Sequence, residues 1–136
     1  MYNRLIIARF QSPRNVGLIK NASGVGEAGN SKCGNLSRIY LSVENGIILD
    51  AKFKTFGCVA AIVSNDIACD MLKGRMVEDA LKISNEEVLS KMGELPENKV
   101  RCAILAKETI ESAVKDYYKK LEKLQKEQEK ELESKN

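Results

Sequence analysis

Histidine is absent from the chain, and so is any apolar run approaching the roughly 20 residues that a membrane-spanning helix needs. The first absence excludes an imidazole as general base or metal ligand. The second argues against a membrane-embedded protein, and the apolar stretch around Arg4 and Arg9 is too short for a secretory signal. We therefore expect a cytoplasmic protein with no membrane partner.

The chain also lacks a dense basic stripe and a close Cys-x-x-Cys pair. Its formal net charge of +3 comes from 22 basic and 19 acidic residues mixed along the whole chain. Nucleic-acid-binding surfaces usually show clustered basic residues with interleaved aromatics, so we predict no nucleic-acid partner. Without the Cys-x-x-Cys pair, a thiol redox enzyme is the weakest of the functions open to the cysteines.

What the chain does contain is enough apolar sequence for one domain, together with four cysteines. It has 136 residues, of which 43% are hydrophobic and 30% are charged, and this composition supports a single modest core. Four cysteines without a signal segment indicate a reducing compartment. In such a compartment thiols bind metal or do chemistry more often than they form disulfides.

Three of the cysteines lie at loop or terminal positions, namely Cys33, Cys58 and Cys102. Thiols spread in this way, with no histidine, favour a site for zinc or an iron–sulfur cluster gathered by the fold. Three thiolates leave one coordination position to another group, so the predicted site is open. Cys69 follows Cys58 by 11 residues, or about 16 Å along a continuous helix, and we interpret it as a core residue.

Local patterns predict a short N-terminal helix followed by a loop and a β-hairpin. Pro13 ends the helix, and residues 15–34 are predicted to be loop because they are rich in Gly, Asn and Ser. Asn45-Gly46 is a type I′ turn signal between two alternating segments, and the returning strand is predicted over 47–56.

Helical patterns fill the rest of the chain. The predicted helices cover residues 59–73, 77–83 and 86–91, and a long last helix begins near Val100. Its apolar stripe gives way to Lys, Glu and Gln after residue 118. We predict a folded domain over residues 1–118 and a charged helical extension over 119–136, with partner docking through Leu121 and Leu124 as the less favoured alternative.

The positions of two cysteines predict reactive thiols. Cys58 would face the free N–H groups at the start of its helix, and Cys102 would lie in the first turn of the last helix near Lys99 and Arg101. Helix N-termini and cationic neighbours lower thiol pKa values. We therefore expect the pKa of both thiols to be lowered.

Several motifs occur in an order typical of one known family. They are PRNVG at 13–17, KCG at 32–34, DAKFKTFGC at 50–58 followed by AAI at 60–62, KG at 73–74, and LP at 95–96 with Lys99 and Cys102. With these motifs the chain resembles the IscU/NifU-type iron–sulfur cluster assembly scaffolds up to about Tyr118. The resemblance implies an α+β fold of the IscU/SufE-like kind, in which a small antiparallel β-sheet packs against several α-helices, including a long C-terminal helix.

The resemblance also implies a function for the thiols. Cys33, Cys58 and Cys102 would hold a [2Fe-2S] cluster built from iron and from sulfur that a cysteine desulfurase delivers. Cys102 is the candidate to receive the sulfur, and Lys99 stands where the family has a functional lysine. The cluster would pass to apo iron–sulfur acceptor proteins, so we expect binding and transfer rather than enzymatic turnover, with a homo-oligomer that shares or shields the cluster as one arrangement.

The chain departs from the family pattern at the two usual non-cysteine ligand positions. Asn35 replaces an aspartate, and Arg101 stands where a histidine often precedes the last cysteine. Asparagine offers only a weak amide oxygen and arginine does not normally lose its proton, so both are predicted to modulate the site. The fourth ligand stays open between the Asn35 oxygen, water or hydroxide, and a cysteine of another subunit or partner, and we favour an exogenous ligand or another protein.

Two further expectations complete the sequence-based hypothesis. Residues 95–99 read LPENK instead of the Leu-Pro-Pro-Val-Lys motif that a dedicated heat-shock chaperone recognises, which argues against chaperone binding. The alternative function is a zinc-binding persulfide acceptor that relays sulfur. It differs in what fills the site, since zinc is colourless whereas a cluster is coloured and labile to oxygen.

Overall fold

One face of an antiparallel β-sheet forms part of the hydrophobic core. In the computed structural model, which describes residues 2–30 and 34–134, the strands β1 Gly24–Asn30, β2 Asn35–Glu44 and β3 Ile47–Phe56 lie in the order β1-β2-β3. Ile39 lies opposite Gly26 on one side and Phe53 on the other. Ile39 and Phe53 are buried together, so this face of the sheet faces the core.

Helices cover that face. They are α1 Arg4–Gln11, α2 Val59–Leu72, α3 Val77–Ala80, α4 Asn85–Met92, α5 Val100–Ala103 and α6 Ala106–Ser134. Helix α2 packs against β3 and α6 packs against β1. The predicted α+β architecture with a long C-terminal helix is confirmed. Within the described residues, no helix combines the length and apolar character needed to cross a membrane.

The predicted hairpin turn and the predicted end of helix α2 are confirmed. Asn45 and Gly46 have φ values of 53° and 77°, and a type I′ turn requires this left-handed pair. Helix α2 ends at Leu72, and Gly74 has a φ of 84° just beyond it. Helix α3 is shorter than predicted, because its last turn ends at Ala80 and Ile83 is buried outside it.

Strand β1 lies within the segment predicted to be loop, and that prediction was wrong for residues 24–30. The strand is rich in glycine because α6 crosses it closely. A Cβ on Gly26 would stand 2.1 Å from the backbone nitrogen of Ala113, and one on Gly24 would stand 2.5 Å from the Ala113 carbonyl oxygen. Glycine at these positions permits close packing, although it also resembles the composition of a loop.

The long last helix begins at Ala106 and not near Val100. A 3₁₀ turn over Glu97–Lys99 leads into α5, and the chain leaves helical geometry at Ile104 before α6 begins. The interruption allows α5 to pack on α2 while α6 packs on β1. Cys102 therefore lies in a separate four-residue helix.

The segment between α1 and β1 is held on α2 by a buried carboxylate. Asp66 is fully buried and accepts hydrogen bonds from the backbone nitrogens of Arg14, at 3.0 Å, and Asn15, at 2.8 Å, as well as from the guanidinium of Arg9. The Asn15 carbonyl in turn accepts from the Phe53 nitrogen at 2.9 Å. The PRNVG segment is thus joined to both α2 and β3.

The charged part of α6 continues beyond the packed domain. Every residue from 119 to 134 is exposed, and ion pairs such as Lys126 with Glu122 lie along this part of the helix.

Candidate thiolate site

Two thiols meet where β3 gives way to α2. Cys58 immediately precedes α2 with extended backbone angles, and Cys102 lies in α5, which packs on that helix. The two thiols interact, and each shifts the pKa of the other. Both side chains are half-buried, so the pair is protected on one side and open on the other.

The surroundings of Cys58 favour its thiolate. Partial burial opposes ionisation, but the Cys102 thiol, the backbone N–H groups of Ala61 and Ala60, and the positive charge of Lys99 together lower the pKa of Cys58. The N–H groups belong to the first turn of α2, which has no intrahelical acceptors for them. The expected lowering of the Cys58 pKa is confirmed.

Cys102 behaves in the opposite way, and the expected lowering was wrong for this residue. Its burial, the hydrogen bond that it gives to Cys58 and the negative charge of Cys58 raise the pKa of Cys102, against smaller contributions from Asn35 and Lys99. The two thiols therefore carry one negative charge most readily, with the proton on Cys102. The start of the long helix, which was expected to lower this pKa, lies elsewhere.

Asn35 contacts Cys102 through its amide nitrogen. The Nδ2 atom lies 3.6 Å from the Cys102 sulfur and donates to it. On its other side the Asn35 Oδ1 atom occupies the space above Gly57, where a Cβ would stand only 2.4 Å from it. Asn35 is thus a hydrogen-bond donor to the thiol, and a glycine makes room for it.

Two cationic residues flank the thiols. Lys99 is half-buried and its charge acts on both Cys58 and Cys102. Arg101 is exposed beside Cys102. The charge of Lys99 lowers the electrostatic cost of collecting negative sulfur atoms at one place.

Tyr2 is a site residue that the sequence did not indicate. It packs against the core, and its phenol interacts with the Cys58 sulfur and with the backbone of Ala60. Partial burial and the charge of Cys58 raise the pKa of Tyr2, so the phenol keeps its proton and can donate it in a hydrogen bond. No local pattern could have indicated this, because Tyr2 and Cys58 are far apart in the chain.

Cys69 lies apart from the pair. It is completely buried in the core cluster, where burial, followed by the charge of Asp66, strongly raises the pKa of its thiol. The interpretation of Cys69 as a core residue is confirmed.

Cys33, the third predicted ligand, lies outside the described residues. Within the part of the chain that the structure describes, no three His, Cys, Asp or Glu side chains are placed to hold a metal ion. The described donor set is a pair of soft sulfur atoms with N–H donors and a lysine beside them. This set fits a thiolate-bound zinc ion or iron–sulfur cluster and does not fit a hard cation such as Mg²⁺.

Comparisons with known proteins show the family to which the chain belongs. Residues 1–124 match the family model described as the NifU-like N terminal domain. The iron-sulfur cluster assembly scaffold protein IscU 1 of Archaeoglobus fulgidus is 44% identical over 126 residues, which cover 93% of this chain and 82% of that protein. The corresponding IscU scaffold of Rickettsia prowazekii is 39% identical over 125 residues, covering 89% of this chain and 95% of that protein.

A solved structure supports the same fold. A crystallised SUF-system protein from Fervidobacterium islandicum superposes with a TM-score of 0.67 at 24% identity, and the match covers 83% of this chain and 96% of that one. At this identity the likeness concerns the fold alone. Together with the family model and the relatives of about two-fifths identity, these findings show that the chain belongs to the NifU-like N-terminal domain family.

Proposed function

We propose that this protein is an iron–sulfur cluster assembly scaffold. It binds a [2Fe-2S] cluster through Cys33, Cys58 and Cys102 and releases it to apo proteins. The cluster is cargo, so the protein binds and transfers without catalysing a turnover of its own. Zinc is a second occupant of the same thiols in the isolated protein.

One observation carries the proposal: the half-buried pair of Cys58 and Cys102. The chain brings these thiols together from positions 44 residues apart, and it surrounds them with N–H donors and Lys99. Cys33 precedes Asn35 by two residues, and Asn35 touches the Cys102 sulfur. These contacts support Cys33 as the third thiolate.

The shared proton suggests how sulfur enters. Cys102 passes its proton to Cys58, and the resulting thiolate attacks the outer sulfur of a persulfide on a cysteine desulfurase. The sulfur–sulfur bond of the donor breaks, the donor cysteine leaves as a thiolate, and Cys102 becomes the persulfide. Lys99 stabilises the negative charge during this transfer.

The solvent-exposed side of the Cys58 and Cys102 pair is suited to transfer of the cluster. A fully enclosed cluster would be retained, whereas a half-buried one is accessible to the thiols of an acceptor protein. Because Asn35 donates to Cys102, it does not offer its oxygen to metal in this arrangement, and we propose that the fourth ligand comes from outside the chain.

We propose further that residues 1–118 form the scaffold domain and that 119–136 are a helical extension outside it. All residues from 119 to 134 are exposed, and they add no side chain to the buried core. If the chain is divided in this way, cluster binding does not require residues 119–136.

The first experiment is anaerobic purification followed by a visible absorption spectrum and analysis of iron, acid-labile sulfide and zinc in one sample. We expect near-equal iron and sulfide with charge-transfer bands. Zinc alone, persisting after anaerobic incubation with a desulfurase, cysteine and iron, would contradict the scaffold and favour the sulfur relay.

Serine variants test the ligand set in the same assay. Cys33→Ser, Cys58→Ser and Cys102→Ser should each reduce cluster retention, because serine is a poor ligand for soft metals. Cys69→Ser is the matched control, since it makes the same atomic change in the core and should affect packing only. Equal cluster loss in the control would overturn the assignment.

A zinc-binding persulfide acceptor is the second candidate, and the environment of Cys102 favours it. Lys99 and the Asn35 amide oppose the rise in the pKa of this thiol, so both favour its thiolate form without any cluster. For this candidate, Cys102→Ser would abolish persulfide uptake while zinc stayed bound to the remaining thiols. Loss of zinc and sulfur uptake together would speak against a separate relay function.

A further inference from the structure

The last helix continues well beyond the domain that it helps to form. Residues 119–134 of α6 are all exposed, and no side chain from this segment joins the buried core. A short helical segment with mostly polar side chains is only marginally stable in water on its own. Packing of one helix face is the usual source of stability for such a segment.

An apolar stripe runs from the packed part of α6 into its exposed part. Ile110 and Val114 are buried in the core. At about 100° per residue, the three leucines of the exposed part lie within about 80° of the helix circumference together with those two residues. These leucines form the leucine stripe: Leu121, Leu124 and Leu132, which are 36%, 55% and 66% exposed.

The charges of the exposed segment are divided between its two halves. Residues 119–126 contain four lysines and one glutamate, whereas residues 127–134 contain four glutamates and one lysine. Among the described residues, no ion pair involves a side chain beyond Lys126. The last turn of α6 contains no basic residue, although a helix C-terminus favours cations. This arrangement of charge therefore does not stabilise an isolated helix.

Two copies of the segment have complementary charges only when they run antiparallel. An antiparallel pair places the lysine-rich half of each helix beside the glutamate-rich half of the other, whereas a parallel pair places like charges together. One flank of the leucine stripe carries Lys120, Glu127 and Glu131, and in a two-fold symmetric antiparallel pair this flank faces its own copy. Lys120 also pairs with Asp116 in its own helix, but its ammonium group has three donors.

We propose that residues 119–134 pair with the same segment of a second copy of this chain, in an antiparallel helical pair. The two leucine stripes form the apolar seam, and the oppositely charged halves set the orientation. The segment is about 24 Å long, so the two folded domains lie at opposite ends of the pair. This small interface gives a weak dimer, with a Kd of about 10–100 µM. The pairing needs neither the thiols nor a metal, so it stands independently of the proposed function.

Sedimentation equilibrium of the full chain tests for the second copy. The protein is kept metal-free with a chelator and reduced with a phosphine, so that neither metal nor disulfides can link two copies. We expect a monomer–dimer equilibrium between about 10 and 500 µM, and we expect truncation after Tyr118 to abolish it. A monomer over the whole range, or a dimer that survives truncation, would overturn the proposal.

Ionic strength tests the orientation of the pair. Raising sodium chloride from about 50 to 500 mM screens the charges of exposed side chains. An antiparallel pair loses attraction under these conditions, so we expect its Kd to rise at least threefold. A parallel pair would lose repulsion instead, and a Kd that falls with salt would contradict the antiparallel arrangement.

Single substitutions test the apolar seam. Leu124→Gln should raise the Kd of the dimer at least tenfold, because both copies lose apolar contact in the seam. Lys126→Gln is the matched control, since Lys126 lies on the opposite side of the helix from the leucine stripe. The control should change the Kd less than about threefold. Equal effects of the two substitutions would contradict the seam.

Reversal of charge provides a positive result that a misfolded variant could not give. Two variants each leave a single predominant charge along the segment. The first carries Lys119→Glu, Lys120→Glu, Lys123→Glu and Lys126→Glu. The second carries Glu127→Lys, Glu129→Lys, Glu131→Lys and Glu133→Lys.

Each charge-reversed variant should be monomeric alone, whereas an equimolar mixture should form a heterodimer. Circular dichroism of each variant establishes that α6 has kept its helical content. A dimer of either variant alone, or a mixture of helical variants that stays monomeric, would overturn the pairing by charge.

Discussion

At the scale of single residues, Asn35 is the main difference from the family pattern, in which an aspartate stands at this position. Its amide donates to the Cys102 sulfur at 3.6 Å. Asn35→Asp would exchange this donor for a negative charge and an oxygen ligand. Because repulsion from the carboxylate weakens the thiolate set, we predict that the variant transfers its cluster to an apo acceptor several-fold faster.

The measurement is the rate of cluster transfer, followed by the visible spectrum of the acceptor. Asn98→Asp is the matched control, because it adds the same charge in the cleft beside Cys102 at an exposed residue that forms no hydrogen bond with the Cys102 sulfur. Unchanged transfer in Asn35→Asp, or equal acceleration in both variants, would remove position 35 from the mechanism.

The sequence indicated which thiols to consider, but not how they divide their charge. Cys58 follows a strand and precedes a helix, and this local signal predicted its lowered pKa. The raised pKa of Cys102 depends on Cys58, which is distant in the chain. The positions of Tyr2 and of the Asn35 amide also depend on contacts between elements, so no pattern in one segment could have predicted them.

At the scale of secondary-structure elements, β1 is the strand most dependent on glycine. Gly26→Ala would place a Cβ 2.1 Å from the backbone of α6. We predict that this substitution lowers the free energy of unfolding by about 2–3 kcal/mol, since neither backbone can move without loss of packing. Urea denaturation measures the change.

The hairpin glycine offers the comparison for this prediction. Gly46 has a φ of 77° and no atom within 4 Å of its Cβ direction, so Gly46→Ala should cost about 1 kcal/mol through backbone conformation alone. A smaller loss in Gly26→Ala than in Gly46→Ala would contradict the close crossing of β1 and α6. The same crossing explains why a strand with the sequence GVGEAGN resembled a loop.

The attachment of α1 to α2 predicts a dependence of stability on pH. Asp70 is partly buried, which opposes ionisation, but hydrogen bonds from Asn15 and Arg9 lower its pKa below the usual 3.8. A lowered pKa in the folded state stabilises the protein above the unfolded-state pKa, and this stabilisation is lost as pH falls through the folded-state value. We predict that Asp70→Asn makes the loss of stability below about pH 4 shallower.

Urea denaturation at a series of pH values tests this prediction, with Glu129→Gln on the exposed part of α6 as control. The control should retain the acid dependence of the original protein. If Asp70→Asn and the original protein lost stability in parallel between about pH 5 and pH 2, the contacts of Asp70 would not contribute to acid stability.

At the scale of the whole molecule, the α+β fold was implied by the family resemblance, while local signals predicted only its separate elements. The Asn45-Gly46 turn and the amphipathic helices each follow from residues near in the chain. Local signals fail where two elements pack closely. The glycines of β1 serve its contact with α6 and do not indicate a strand, and the break before α6 depends on how α5 and α6 pack on different elements. The boundary at residue 118 stays a prediction, since it rests on the change of composition there and on the extent of the family resemblance.

Truncation after Tyr118 tests that boundary. Residues 119–134 are exposed and lie outside the buried core, so removing them deletes few tertiary contacts. We predict that the midpoint of thermal unfolding changes by less than about 3 °C and that anaerobic cluster retention is unchanged. Circular dichroism and iron analysis of the two proteins provide the comparison, and truncation after Leu124, where the family model ends, controls for the length of helix removed. Large destabilisation only in the shorter protein would mean that Leu121 and Leu124 belong to the folded domain, whereas loss of a dimer in both would show that the extension holds a second copy.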